Sequence, residues 1–187
     1  VIPARYNSVR LPGKPLKLIQ NQSMLKIVWE KCVEALDIER VFIATEDKRI
    51  MDHCIDEGMK SLMTPKTCKT GTDRVFEVSK EIDSDIYINV QGDEPLISPI
   101  DIKNLIKLAK KNPDSVINAM VNIKDEKEYL NLNIPKVVIN KNSELLYISR
   151  SPIPGNKENY FIKAKKQVCI YAFPKIALND FGKMPDK

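Results

Sequence analysis

The sequence predicts an α/β fold with a mostly parallel central sheet and an antiparallel hairpin added late in the chain. Three observations carry that prediction. Short apolar runs alternate with segments of helical period as far as position 121, the pattern of right-handed β-α crossovers in one sheet. The run Arg40-Val41-Phe42-Ile43-Ala44-Thr45 is apolar and β-branched, as a buried parallel strand is. Later, Val137-Val138-Ile139-Asn140 and Leu145-Leu146-Tyr147-Ile148 flank Lys141-Asn142-Ser143-Glu144, a hairpin pattern.

Taken in order, Val1 and Ile2 read as a strand that Pro3 breaks into a loop holding Arg5, Arg10 and Lys14. Pro12, Gly13 and Pro15 fix where this loop turns, because Pro pins φ and Gly reaches angles that a Cβ forbids. Three cations on a constrained loop after a strand make a seat for a polyphosphate: Arg offers a planar fork of donors, Lys a point charge. A solvated basic loop is the alternative. It ranks second, because stiff Pro-Gly-Lys-Pro turns serve little purpose for charges that need no position. Lys14 is followed by Pro15, no glycine stands five residues before Gly13, and no G-x-G-x-x-G opens a helix. Neither the Walker loop nor the dinucleotide fingerprint is therefore present.

Ser23 is the N-cap of a helix over 24–36, with apolar positions 24, 25, 28, 32 and 35 or 36 on one face and Trp29 in the core. A helix from about Asp47 to Glu57 closes on Gly58 at C′. His53, the only histidine, lies within it and receives no catalytic role. Lys60 to Thr64 is a third short strand. Thr70-Gly71-Thr72-Asp73-Arg74-Val75 then opens a helix that runs to about Ile82. Thr70 and Asp73 stand at capping-box spacing, and free N–H groups beside Arg74 can hold an anion or a base edge. Both readings stay open on spacing alone.

Asp85 to Val90 reads as a central strand ending in Gln91-Gly92-Asp93-Glu94-Pro95. Ligands of open α/β sheets bind beyond the carboxyl ends of strands, and Mg²⁺ takes one or two carboxylates with phosphate oxygens and water. Beside a cationic loop this acidic turn reads as a magnesium site; the alternative is a polar turn before a helix over 99–110. A strand follows over 116–121, then a short helix over 126–130 and the hairpin, with Arg150 at its end. Lys157, Lys163, Lys165 and Lys166 read as a solvated basic stretch, and Gln167 to Phe173 as the last strand. Pro174 starts a helix expected to end at Gly182.

The 187 residues suit one domain, 1–187, and 43% hydrophobic with 29% charged residues is ordinary for a globular protein. A net charge of +5 suits an anionic small ligand and falls short of a nucleic-acid-binding stripe. Cys32, Cys54, Cys68 and Cys169 form no C-x-x-C pair and read as reduced thiols of a cytoplasmic protein, not a zinc site. No apolar run approaches a membrane span and no signal peptide is visible. The chain begins inside a strand without Met and stops at Pro185-Asp186-Lys187, so both ends read as cut.

Six segments in order complete the picture: I-P-A-R-Y-x-S-x-R-L-P-G-K-P-L at 2–16, A-T-E-D at 44–47, T-G-T-D-R-V at 70–75, N-V-Q-G-D-E-P at 89–95, K-V-V at 136–138 and Y-I-S-R-S-P-I-P at 147–154. Together they resemble the 3-deoxy-manno-octulosonate cytidylyltransferases, or CMP-Kdo synthetases, over nearly the whole chain. The first and fourth segments are specific together; A-T-E-D and K-V-V alone mean little. The resemblance implies a Rossmann-like nucleotidyltransferase that makes CMP-Kdo and pyrophosphate from CTP and Kdo, for lipopolysaccharide or capsule assembly. It implies nucleotide contacts for Ala4, Arg5, Arg10, Lys14, Gly71, Thr72, Arg74 and Gln91, with Arg10, Lys14 and Asp93 catalytic. It further implies Mg²⁺ on Asp93, sugar contacts for Arg150, Gln167 and Tyr171, and a homodimer joined through 136–173.

Two departures stand out. The family has His where Gln167 stands, and an amide hydrogen-bonds a sugar without carrying charge, so related 2-keto-3-deoxy acids, an amino-sugar variant included, are candidates. The family also continues beyond Lys187 into a segment with further sugar contacts and a second metal-binding Asp. Two competing readings follow: a truncated, non-catalytic CTP-binding module, and a nucleic-acid binder resting only on mild positive charge.

Overall fold

Caps and turns set the element ends in a computed structural model that describes residues 1–7, 11–158 and 160–184. In chain order the elements are β1 (Ile2–Pro3), a 3₁₀ turn (Lys14–Leu16), β2 (Leu18–Ile19), β3 (Gln22–Ser23), α1 (Met24–Ala35), a second 3₁₀ turn (Ile38–Arg40) and β4 (Ile43–Thr45). Then come α2 (Lys48–Asp56), β5 (Ser61–Met63), α3 (Gly71–Glu81), β6 (Ile86–Val90) and α4 (Pro99–Lys111). The rest is β7 (Ile117–Asn122), α5 (Glu126–Leu130), β8 (Lys136–Ile139), β9 (Leu145–Ser149), β10 (Lys165–Pro174) and α6 (Lys175–Lys183). Two units divide the chain: 1–117 with 170–187, and 118–169.

In the first unit, β1, β4 and β5 form a parallel ladder with β4 in the middle. β6 runs parallel along the free side of β1: the Val1 ammonium donates to Ile88 O at 2.7 Å, and Val90 N donates to Val1 O at 3.0 Å. Residues Ile170 to Pro174 of β10 lie antiparallel on β6, with Ile170 opposite Val90 and Pro174 opposite Ile86. Ile2, Ile43, Ala44, Ala172 and Leu178 are fully or almost fully buried, so the sheet is apolar where the helices cover it.

The helix ends follow from side chains. Ser23 Oγ accepts from Lys26 N and caps α1; Asp47 Oδ1 accepts from Arg49 N and caps α2. Gly58, at φ 67°, ends α2 in a Schellman pair: its N–H meets Ile55 O, and Met59 N meets Cys54 O at 2.8 Å. His53 is half-buried and tied to Ser23 (Nε2···Oγ 2.8 Å), which joins α2 to the start of α1. Trp29 is buried as expected.

Several expectations change. The strand expected over 40–45 begins only at Ile43, because Asp37 caps a 3₁₀ turn over the residues before it. The hairpin of β2 and β3 was not expected; Gln20 and Asn21 turn it with φ of 50° and 67°. β7, expected in the parallel sheet, pairs with β10. Gly182 lies inside α6 instead of ending it: a β-carbon there would come within 2.2 Å of the Phe76 ring, so the glycine serves close packing of α6 on α3. Lys165 and Lys166 open β10 instead of a solvated loop, and Lys166 pairs with Glu128 at 2.6 Å.

The second unit holds α5, β8, β9 and the first half of β10. β8 and β9 form the expected hairpin, with Ser143 at φ 64° in its turn. Its small core is Ile123, Tyr129 and Ala164 with Phe161 against them. Lys136 is wholly buried in this unit.

Candidate nucleotide site

The carboxyl ends of the parallel strands in the first unit open into a cleft of about 480 Å³. β1 delivers Ala4 and Arg5 to it. Ala4 is buried with its N–H on Ala44 O at 2.9 Å, and Arg5 is exposed on the wall. Past Arg5 the loop is closed at a neck, where Gly13 N donates to Tyr6 O at 2.9 Å. Gly13 has φ 67°, and a β-carbon on it would lie 3.1 Å from the Tyr6 ring. The Arg49 guanidinium sits 3.3 Å from the centre of that ring and is held by both carboxylate oxygens of Asp47 (2.8 and 2.7 Å). This bond to Arg49 holds the Asp47 carboxyl below the usual carboxylate range. Arg10, expected to contact phosphate, lies outside the described residues.

Lys14 opens the 3₁₀ turn after the neck, and its Nζ donates to Asp93 Oδ2 at 2.6 Å. The expected phosphate cation and the expected metal carboxylate therefore meet across the cleft. Gly92 lets the β6 end approach β1: its N–H reaches Pro3 O at 3.3 Å, and a β-carbon would lie 2.8 Å from that oxygen. Burial raises the Glu94 carboxyl, the charge of Asp93 adds to this, and Lys14 opposes it. Asp93 is exposed at the cleft. Among the described residues no three acidic, His or Cys side chains gather to hold a metal, so a metal caged by protein alone is not supported. One carboxylate at the rim fits a magnesium ion completed by phosphate oxygens and water.

The opposite wall is the start of α3. Thr70 and Asp73 form the capping box, Thr70 Oγ1 accepting from Asp73 N and Asp73 Oδ2 accepting from Thr70 N at 2.7 Å. Gly71 faces Gln91 so closely that a β-carbon would lie 2.9 Å from its amide nitrogen. Gln91 donates in turn to Asn89 Oδ1 at 3.0 Å. Thr72 is half-buried on the same turn and does not line the cleft. Arg74 lines it but is buried, with one nitrogen 2.5 Å from Glu46 and another donating to Thr64 Oγ1 at 2.6 Å.

Glu46 and Thr64 stand just past β4 and β5, so Arg74 ties three element ends together. Sequence reasoning missed Glu46; the A-T-E-D segment was its only signal. Cys68 and Lys69 also line the cleft unannounced, and burial raises the Cys68 thiol. Tyr171 lies on β10 opposite Asn89, its ring stacked on Phe173 at 5.9 Å. Arg150 and Gln167 belong to the second unit. Gln167 donates to Asn118 Oδ1 at 2.9 Å, and Arg150 donates to Asn133 O at 2.9 Å.

Known proteins match this architecture. The cytidylyltransferase family matches residues 1–187. The 3-deoxy-manno-octulosonate cytidylyltransferase of Escherichia coli is 37% identical over 186 residues, covering 100% of this chain and 76% of that enzyme. The 8-amino-3,8-dideoxy-manno-octulosonate cytidylyltransferase of Shewanella halifaxensis is 36% identical over 190 residues, covering 99% of this chain and 78% of that enzyme. The solved structure of CMP:2-keto-3-deoxy-manno-octonic acid synthetase complexed with CTP superimposes with a TM-score of 0.91 at 37% identity, covering 100% of this chain and 77% of that one. With its parallel sheet, its capped α3 and its Lys14–Asp93 cleft, the chain belongs to the cytidylyltransferase family.

Proposed function

We propose that the chain transfers CMP from CTP to a 3-deoxy-2-keto sugar acid, Kdo or a close relative, with release of pyrophosphate. The observation that carries the reading is the meeting of Lys14 and Asp93 at 2.6 Å, beyond the carboxyl end of a parallel sheet. The anomeric hydroxyl loses its proton to water and attacks the α-phosphorus; the new P–O bond forms in line as the bond to the α–β bridging oxygen breaks. Positioning and charge neutralisation do most of this work, so no covalent nucleophile is needed. Arg5 and Lys14 take the departing phosphates, Gln91 and the start of α3 take the nucleoside, and Arg150 takes the sugar carboxylate. Asp93 would hold a Mg²⁺ ion, which would supply polarisation of the α-phosphate and a more acidic hydroxyl.

The relatives act on both Kdo and its 8-amino form. The neutral amide of Gln167, bound to Asn118, leaves either sugar acid as substrate. The reaction belongs to the cytoplasm, in keeping with Cys32, Cys54 and Cys68 as reduced thiols. Among the described residues no helix is long and apolar enough to cross a membrane.

Calorimetric titration of CTP, UTP, ATP and GTP, with and without Mg²⁺, tests the nucleotide half, and pyrophosphate release with Kdo tests the transfer. CTP preference strengthened by Mg²⁺ is expected. CTP binding without pyrophosphate release would make the chain a binding module.

The active form is a homodimer joined through the hairpin. β9 is the edge strand of its order, and Leu145, Leu146 and Tyr147 stand more than half exposed on it. Leu146→Lys is expected to weaken dimerisation about tenfold by sedimentation equilibrium. An unchanged association constant would move the interface elsewhere.

A further inference from the structure

Lys136 is wholly buried, yet among the described residues no carboxylate pairs with it. Its Nζ donates to Asn131 O at 2.7 Å and to Arg150 O at 3.0 Å. Arg150 reaches back to the same turn, donating from one nitrogen to Asn133 O at 2.9 Å and Leu132 O at 3.3 Å. Three successive carbonyls, 131 to 133, thus face two cations. Arg150 is gripped twice, by Lys136 at its backbone carbonyl and by the turn at its guanidinium. The turn is itself closed by Asn131, whose side-chain oxygen accepts from Asn133 N and whose carbonyl accepts from Ile134 N.

An ammonium buried without a counter-charge is costly, and an apolar side chain of similar length would fill the space more cheaply. Burial and the neighbouring Arg150 both push the Lys136 ammonium below its ordinary value. The cation therefore has a purpose other than packing, and its bonds name it: both end on the frame of Arg150.

We propose that Lys136 is the positioning residue for Arg150, fixing the turn and the backbone from which that exposed guanidinium receives the carboxylate of the sugar acid. The inference rests on the sugar-acid reading given above. Lys136 does not touch the anion. It sets where the Arg150 fork can stand, and two cations answered only by carbonyls leave positive potential for an incoming carboxylate.

The test compares Lys136→Met with Asn131→Ala, an exposed change that loosens the same turn and leaves the core intact. In Lys136→Met the KM for Kdo is expected to rise about tenfold while the CTP dissociation constant stays within about twofold, as misplacement of one binding group requires. Asn131→Ala is expected to show the same selective rise, about threefold. Equal losses for Kdo and CTP, or an unchanged KM for Kdo in both variants, would overturn the proposal.

A second readout does not need the sugar. The Arg150 Nε–H resonance in ¹⁵N NMR, assigned by its disappearance in Arg150→Gln, is expected to shift and broaden in Lys136→Met. If it stays unchanged, Lys136 does not position Arg150. If it moves while the wild-type chain ignores Kdo, the positioning holds and the sugar-acid reading fails.

Discussion

The cleft of the first unit and the 131–133 turn of the second handle cations in opposite ways. In the cleft, Lys14 is bound to Asp93 and Arg74 to Glu46, so these two cations already have a carboxylate, with Arg5 and Lys69 beside them on the wall. At the turn, Lys136 and Arg150 end on backbone carbonyls alone. A neutralised cation must exchange partners before it can take a phosphate, which couples the ligand to whatever replaces it on the carboxylate. A cation answered only by dipoles needs no exchange and attracts an anion directly. The first arrangement suits a nucleotide that arrives with a metal; the second suits a bare carboxylate.

The comparison is broken most severely at Asp93. Asp93→Asn is expected to lower the rate of pyrophosphate release about 10³-fold with the melting temperature unchanged. Retention of most Mg²⁺-dependent activity would remove the metal from this residue. Next comes Glu46→Ala, which leaves the buried Arg74 without its carboxylate and is expected to cost about 3 kcal/mol in denaturant unfolding. A loss below about 1 kcal/mol would mean that the pair is solvated in practice.

Lys14→Met sharpens the contrast because its two effects have opposite signs. CTP binding is expected to weaken about tenfold, while Mn²⁺ alone binds more tightly to the freed Asp93. Loss of affinity for both ligands would show that the pair is structural. The smallest effect concerns Cys68. Burial keeps it a thiol at neutral pH, so iodoacetamide should react slowly, and CTP should slow it about threefold further by filling the cleft. Labelling at an unchanged rate with saturating CTP would place the nucleotide away from this wall.

What the sequence made legible was local. The α3 capping box needs only Thr70 and Asp73, three residues apart, and the end of α2 needs only Gly58. The helices and the central strand could be placed because their period is written within a dozen residues. What stayed hidden was pairwise and distant. Lys14 meets Asp93 across 79 positions, and no local pattern announces that a cation and a carboxylate with separate expected roles share a bond. Glu46 lies in the A-T-E-D segment, which means little alone, and the Arg74 that pairs with it comes from a later helix. Gly182 looked like a helix stop because glycine often is one; the Phe76 ring that requires it lies in α3, far earlier in the chain. β7 followed the β-α rhythm in sequence yet joined β10, since the choice of neighbour depends on a strand not yet made when it is read.

The neck at Tyr6 and Gly13 carries a kinetic consequence. Drawing the ends of a flexible loop together costs entropy that grows with its length, and a loop open at its base incurs that cost when its ligand arrives. Here Gly13 N already holds Tyr6 O, and Arg49 on the Tyr6 ring anchors the neck to α2. The two ends of the loop already meet at this neck. The rate of capture should then follow collision and charge, with little dependence on the length of chain strung between the two ends.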